Sequence, residues 1–199
     1  MKKENIKNLV ILALLTAIEV IFAFTVLGSI PIGPGIVATL AHIPPIIAAT
    51  LLGKKEGLYM GFVFGVLSLI WWSFIGVAQP AAFAFTPLAA NGSFWSLVIC
   101  LVPRIVYPVI TAIIYDWLYK LTNKKTSIAA AVSAALGTII HSFLVFLLLY
   151  IFYNQHETVG HNFLNVIIAW GGINAVMEII VATVITGALV PALKKVKNV

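Results

Sequence analysis

Five ionisable side chains stand inside long apolar runs of this chain: Glu19, His42, Arg104, His141 and Glu178, with Gln79, Asn91 and Asn174 as neutral companions. Ionisable groups are costly in hydrocarbon, so residues of this kind mark functional sites by default. Counted inward from one set of run ends, Glu19, His42, Arg104 and His141 fall in the outer half or near the middle. That shared depth predicts a pocket reached from one side. Trp170, Asn174 and Glu178 recur at i, i+4 and i+8, which puts an aromatic ring, an amide and a carboxylate on one helix stripe. Ser133, Gly137 and His141 form a similar stripe. Together with Trp71, Trp72 and Trp95 they describe an apolar chamber with a few convergent polar groups, the make-up of a small-molecule site. Arg104 is the one arginine in the chain. It could serve such a site, and it equally suits an interior ion pair with Glu178 or Glu19.

The elements that position these groups follow from composition. The chain has 199 residues, 62% of them hydrophobic and 9% charged, with a mean hydropathy of +1.10. A soluble domain carries about 25% charged residues, so this chain lacks the polar surface for one and is read as an integral membrane protein. Crossing the hydrocarbon core takes roughly 20 apolar residues, and six stretches meet or approach that length: Ile6 to Leu27, Ile36 to Leu52, Leu58 to Ile75, Phe94 to Tyr119, Ile128 to Phe152 and Phe163 to Leu193. The fold class expected is an all-α membrane protein of six transmembrane helices, one domain over residues 1–199.

Lysines fix the orientation. Lys2, Lys3 and Lys7 precede the first stretch, Lys54 and Lys55 separate the second from the third, Lys120, Lys124 and Lys125 separate the fourth from the fifth, and Lys194, Lys195 and Lys197 follow the last. Six crossings bring all four clusters to one face. The positive-inside rule then puts both termini in the cytoplasm. The first stretch exceeds the h-region of a signal peptide and carries Glu19, so it reads as a retained span. Cys100 is alone, so no internal disulfide forms.

The second stretch is irregular. His42, Pro44 and Pro45 interrupt it near its external end, and breaks at membrane depth survive where protein or a wet cavity satisfies the freed backbone. Either an irregular helix entrance borders a cavity there, or the helix simply begins at Ile43 with proline in its first turn. The uncharged loops at 28–35 and 76–92 are too apolar for plain solvated connectors and are expected to fold over the outer mouth as a lid.

Several chemistries are missing. There is no phosphate-cradling G-x-x-x-x-G-K-[ST], so the chain does not hydrolyse ATP by that motif, and neither G-x-S-x-G nor H-E-x-x-H occurs. An intramembrane hydrolase using Ser93 with His141 or His161 is the competing enzyme reading, although the turn "NGSFW" suits a nucleophile poorly. No metal and no cofactor is expected. Inverted repeats of the transporter type are not evident, which favours a binding subunit whose energy comes from partners. Ala13 and Ala17 form a small-xxx-small pair that allows close helix approach.

These residues resemble a family. "ALLTA" in the first stretch, "ATLAHIPPIIAATLLGKKEGLYMGFVFGVLSLI" through the second and third, and "NGSFWSLVICLVPRIVYP" in the fourth resemble the substrate-binding S component of an energy-coupling factor (ECF) transporter, and "TLAHIP", "LLGKKEG" and "PRI" look most like its pantothenate-type branch. The resemblance implies a high-affinity vitamin-binding subunit of an ATP-dependent importer in a prokaryotic cell membrane. Its implied partners are a transmembrane coupling subunit, met through Ala13 and Ala17, and two cytoplasmic ATPases, with no nucleic acid. The loop after the first span would be the gate. The implied ligand site comprises His42, Trp72, Asn91, Arg104, His141, Asn174 and Glu178. In it Arg104 would take the pantothenate carboxylate, and Asn91, His141 and Asn174 the amide and hydroxyls. Pyridoxine or hydroxymethylpyrimidine would instead stack on Trp71 or Trp72 with Glu178 as acceptor.

Overall fold

The computed structural model describes residues 3–33, 36–157, 159 and 161–198, without the side chains at 3, 4, 30–33, 36–38, 169, 170 and 198. Lys2 and the side chains of Lys3 and Trp170 therefore lie outside the described residues.

Helix α1 (Lys3–Phe24) runs into a 3-10 turn at Val26–Gly28. The turn doubles so sharply on α1 that a β-carbon at Gly28 would overlap the Phe22 carbonyl, so glycine is required there. A short antiparallel hairpin follows, β1 (Ser29–Gly33) against β2 (Ile36–Thr39), with Ser29 opposite Thr39 and Ile30 opposite Ala38. Leu40 N–H donates to the Gly28 carbonyl at 2.8 Å and closes its base. The hairpin interrupts an otherwise helical chain and corrects the second predicted span. Residues 36–39 are strand, and helix α2 covers only Ile43–Leu51. The prolines explain its start. Pro44 and Pro45 occupy the first turn, where the missing N–H groups have no intrahelical acceptor. Nine residues rise about 14 Å, too little to cross the membrane alone, and all nine are buried.

Helix α3 (Lys54–Phe74) leaves α2 through Gly53, whose φ of +119° only glycine adopts readily. The loop after it folds inward around a 3-10 turn at Ala82–Ala84, all three residues of which are buried. Helices α4 (Phe94–Leu121) and α5 (Thr126–Tyr153) form a long hairpin turned by Asn123 and Lys124 in the left-handed region. The last predicted span is not one helix. A short α6 (Phe163–Val166) passes through a π-helical turn at Ile167–Gly171, and α7 (Gly172–Asn198) starts at Gly172 with φ +47°. The Trp170–Asn174–Glu178 stripe is therefore cut between its first two members.

Among the described residues five helices, α1, α3, α4, α5 and α7, are long and apolar enough to cross a membrane. Large apolar side chains such as Leu9, Leu14, Phe62, Ile113, Ile139 and Val184 are exposed around the bundle, as lipid contact requires. The lysine-bearing helix ends gather. Lys197 Nζ donates to the Leu51 carbonyl at 3.3 Å, Lys7 Nζ donates to the Lys197 carbonyl at 3.3 Å, and Lys194 Nζ sits 3.9 Å from the Tyr119 ring centre.

Two packing seams set the interior. Gly61 and Gly65 bring α3 against Arg104, Leu101 and Pro108 of α4, and Gly57, one turn earlier, brings it against Ala49 of α2. Gly137 of α5 lies against Thr111 of α4 so closely that a β-carbon would meet its hydroxyl at 2.1 Å. One turn toward the loops, the same antiparallel register packs Tyr107 against His141, with ring centres 4.8 Å apart and the planes tilted by 52°.

Candidate functional site

Two adjoining cavities open inside the bundle. The larger, about 770 Å³, lies between the end of α1, the hairpin, the start of α2, and α3, α4, α5 and α7. His42, Phe64, Ser68, Trp71, Trp72 and Gln79 are among its lining residues. The smaller, about 200 Å³, lies between α4, α5, α7 and the inward loop, lined by Phe85, Ser142, Val145, Phe146, Gly171, Asn174 and Ala175 among others. Thr39, Arg104, His141 and Glu178 line both. These four polar residues, from the hairpin, α4, α5 and α7, form the wall the two chambers share.

Arg104 is 7% exposed, and no carboxylate lies within 4.0 Å of its guanidinium among the described residues. The interior ion pair with Glu178 or Glu19 is thus replaced by other partners. Nη1 donates to the Cys100 carbonyl at 2.7 Å, and Cζ lies 5.2 Å from the Phe64 ring centre and 5.3 Å from that of Phe85. Cation–π attraction of this kind contributes about 0.5–2 kcal/mol per ring, more where water is excluded. Nε has no hydrogen-bond partner. A buried cation at a cavity wall, with no carboxylate in ion-pair contact among the described residues, is suited to receive an anion.

His42 is 2% exposed and caps the start of α2, where the Tyr107 hydroxyl donates to its carbonyl at 2.8 Å. Its ring lies against the backbone of Thr39 and Glu178, and the Thr39 side chain faces the Glu178 carboxylate. Nε2 of His42 and Nε2 of His141 are buried without partners. Phe85 stacks on Trp72 with ring centres 5.0 Å apart, and Trp71 meets Trp72 edge-on at 5.0 Å. The chamber therefore offers one guanidinium, one carboxylate, two imidazoles and an aromatic wall. That set is suited to a polar organic molecule recognised by charge and hydrogen bonds.

Six of the seven sequence-predicted residues line this double cavity: His42, Trp72, Arg104, His141, Asn174 and Glu178. Asn91 does not. It is exposed at the turn before α4 with φ +63°, a backbone position that asparagine tolerates. Glu19 is fully buried, both carboxylate oxygens lack partners, and it lines neither cavity. Trp95 stacks on Phe152 at 4.0 Å, away from the chamber. Ser93 caps α4, and its Oγ lies 2.7 Å from the Tyr153 hydroxyl, so it is committed to structure and not to hydrolysis. Both apolar loops contribute, Ser29 from the first and Gln79 and Phe85 from the second, with Thr39 added by β2. Thr39, Phe64, Phe85 and Tyr107 were not anticipated. The Gly57–Gly61–Gly65 spacing was the available signal that α3 and α4 pack closely at Arg104.

A multi-pass helical bundle enclosing a polar-and-aromatic cavity has the make-up of a membrane protein that binds a small molecule. The chain belongs to the family described as ECF transporter, substrate-specific component, whose profile matches residues 7–190. It is 30% identical, over 100% of its own length and 99% of the relative's, to the pantothenic acid transporter PanT of Lactococcus lactis subsp. cremoris (strain MG1363). A solved structure of ThiT from Listeria monocytogenes shares its fold with a TM-score of 0.63, covering 98% of this chain and 99% of that one at 16% identity.

Proposed function

We propose that this chain is the pantothenate-binding S component of an ATP-dependent ECF importer, holding its vitamin in the double cavity with the carboxylate on Arg104. The observation that carries the reading is the buried guanidinium at the shared wall, with no carboxylate in ion-pair contact among the described residues, because pantothenate is a monoanion whose other polar groups are an amide and two hydroxyls. His42, His141, Asn174 and Glu178 stand around that wall as hydrogen-bond partners for those groups, and Trp72 supplies apolar contact. The larger cavity falls within the roughly 300–1,000 Å³ typical of small-molecule sites. A flat pyridine or pyrimidine ring finds less support, since Phe85 already stacks on Trp72 and Trp71 abuts it edge-on.

In this reading residues 1–199 act as one membrane-embedded unit with both termini cytoplasmic, which the gathered lysine ends support. Its partners are a transmembrane coupling subunit and two cytoplasmic ATPases. Ala13 and Ala17 are exposed on α1, whose membrane-spanning stretch is only 11% buried, so the surface is available for a helix of the coupling subunit. Tryptophan fluorescence of the purified protein titrated with pantothenate tests the proposal, since Trp71 and Trp72 line the cavity. Saturable quenching or enhancement is the expected result. No response to pantothenate, with a response to a cationic or neutral vitamin, would overturn the ligand assignment.

A further inference from the structure

The two chambers are walled differently. The smaller lies between one face of α5, bearing Ser142, Val145 and Phe146, and one face of α7, bearing Asn174 and Ala175. Its aromatic members are held in place. Phe146 rests against the π-helical turn, where a β-carbon at Gly171 would meet its ring at 2.9 Å, and turns of this type recur at functional sites. Phe85 stacks on Trp72 at 5.0 Å, and the next residue, Thr86, is fully buried with its hydroxyl 2.7 Å from that of Ser73. The larger chamber has nearly four times the volume, about 770 Å³ against 200 Å³, and its lining includes Phe24 and Val26, which are 43% and 80% exposed. It therefore widens toward the exposed end of α1.

We infer that the smaller chamber is the subsite for the ligand's branched, dihydroxylated end, and that Ser142, Phe146 and Ala175 determine specificity for it. This rests on the pantothenate reading above, in which the carboxylate lies on Arg104 at the wall common to both chambers. From that anchor the rest of an extended molecule points into one chamber or the other. The end of pantothenate remote from the carboxylate carries two methyl groups on one carbon and a hydroxyl on the carbon at either side. Such a group needs apolar surface and hydrogen-bonding groups close together. The smaller chamber supplies Val145, Phe146 and Ala175 for the methyls, and the Ser142 hydroxyl and Asn174 amide for the hydroxyls. Selection against a straight-chain end follows from fit, since a gap left by a missing methyl forfeits the dispersion contacts of its lining. The larger chamber, too wide to touch such a group on all sides, is the vestibule.

Two matched substitutions add the same bulk to either chamber: Ala175→Leu narrows the smaller, and Ala23→Leu narrows the larger. In fluorescence titrations of the purified protein, Ala175→Leu should weaken pantothenate binding about tenfold or more beyond the effect of Ala23→Leu, the scale on which a pocket discriminates small increments of size. Ser142→Ala should weaken pantothenate by about two- to tenfold, as loss of a neutral hydrogen bond does. It should weaken tert-butylacetyl-β-alanine far less, because that analogue keeps the carboxylate, the amide and the branched carbon skeleton but has neither hydroxyl. If Ala175→Leu does not fold, Ala175→Val against Ala23→Val gives the same comparison. A larger loss with Ala23→Leu, or equal effects of the two, would overturn the inference. A Ser142→Ala loss shared equally by both ligands, or no loss, would overturn the role given to Ser142. Pantothenate binding stands in each of those cases, whereas no binding by the wild type would overturn the reading beneath the inference.

Discussion

Gly61 of α3 stands against the backbone of Arg104 on α4: a β-carbon at position 61 would meet the Arg104 carbonyl oxygen at 2.4 Å. Pro108, four residues on, has no N–H to bond that carbonyl. The glycine seam thus admits α3 at the point where α4 lacks a helical hydrogen bond, and it sets where the guanidinium sits. Gly61→Ala should lower stability by about 1–3 kcal/mol, as overpacking does, and weaken ligand affinity by moving Arg104. Thermal unfolding in detergent and a binding titration on the same sample check both. Unchanged values would mean that the seam does not position the site.

The Tyr107 hydroxyl bridges α4 to the start of α2 through the His42 carbonyl. Tyr107→Phe keeps the ring packed against His141 but leaves that buried carbonyl without its donor, at a cost of about 1–3 kcal/mol. A fall in Tm with the far-UV helical signal retained is the expected outcome. No loss of Tm would place the carbonyl in contact with water.

Replacing the guanidinium separates charge from shape. Arg104→Gln should reduce pantothenate affinity by about 30-fold or more, the loss of about 2 kcal/mol for hydrogen bonds to a charged group. The corresponding neutral alcohol, which has no carboxylate, should lose far less. Equal losses for acid and alcohol would show that Arg104 only supports the bundle.

Asn91 supplies a contrast. Its exposed left-handed turn is a position that glycine fills without strain. Asn91→Gly should leave affinity unchanged and alter stability by no more than about 0.5 kcal/mol, the range of ordinary surface changes. A clear loss of binding would restore Asn91 to the site.

Ala13 and Ala17 lie on the open face of α1. Ala13→Leu with Ala17→Leu should abolish co-purification with the coupling subunit and leave vitamin binding intact, because neither residue lines a cavity. Co-purification at the wild-type level would move the contact to another face.

Much of this arrangement was legible before folding. His42, Arg104, His141, Asn174 and Glu178 stood out as polar residues in apolar runs, and the structure gathers all five at the double cavity. Asn91 lies outside the cavity because it closes an apolar loop beside a span, a placement that its sequence position does not distinguish from a site residue without its φ. Phe64 and Phe85 were invisible because an aromatic residue in an aromatic-rich membrane protein carries no signal of its own. The hairpin at 29–39 was missed because β-branched residues beside a proline-started helix satisfy a span template as readily as a strand.

The sequence by itself determined which segments are apolar, which ends carry lysine and which positions hold an ionisable group against the cost of hydrocarbon. Those properties are set residue by residue, through transfer free energies that do not depend on neighbours. Only the tertiary structure decided that Arg104 rests among Phe64, Phe85 and the Cys100 carbonyl and not on a carboxylate, that α7 begins anew at Gly172, and that four elements converge on one wall. Such pairings depend on how closely helices approach, and here that approach is set by missing β-carbons at Gly61 and Gly137 whose effect appears only when the partner helix arrives.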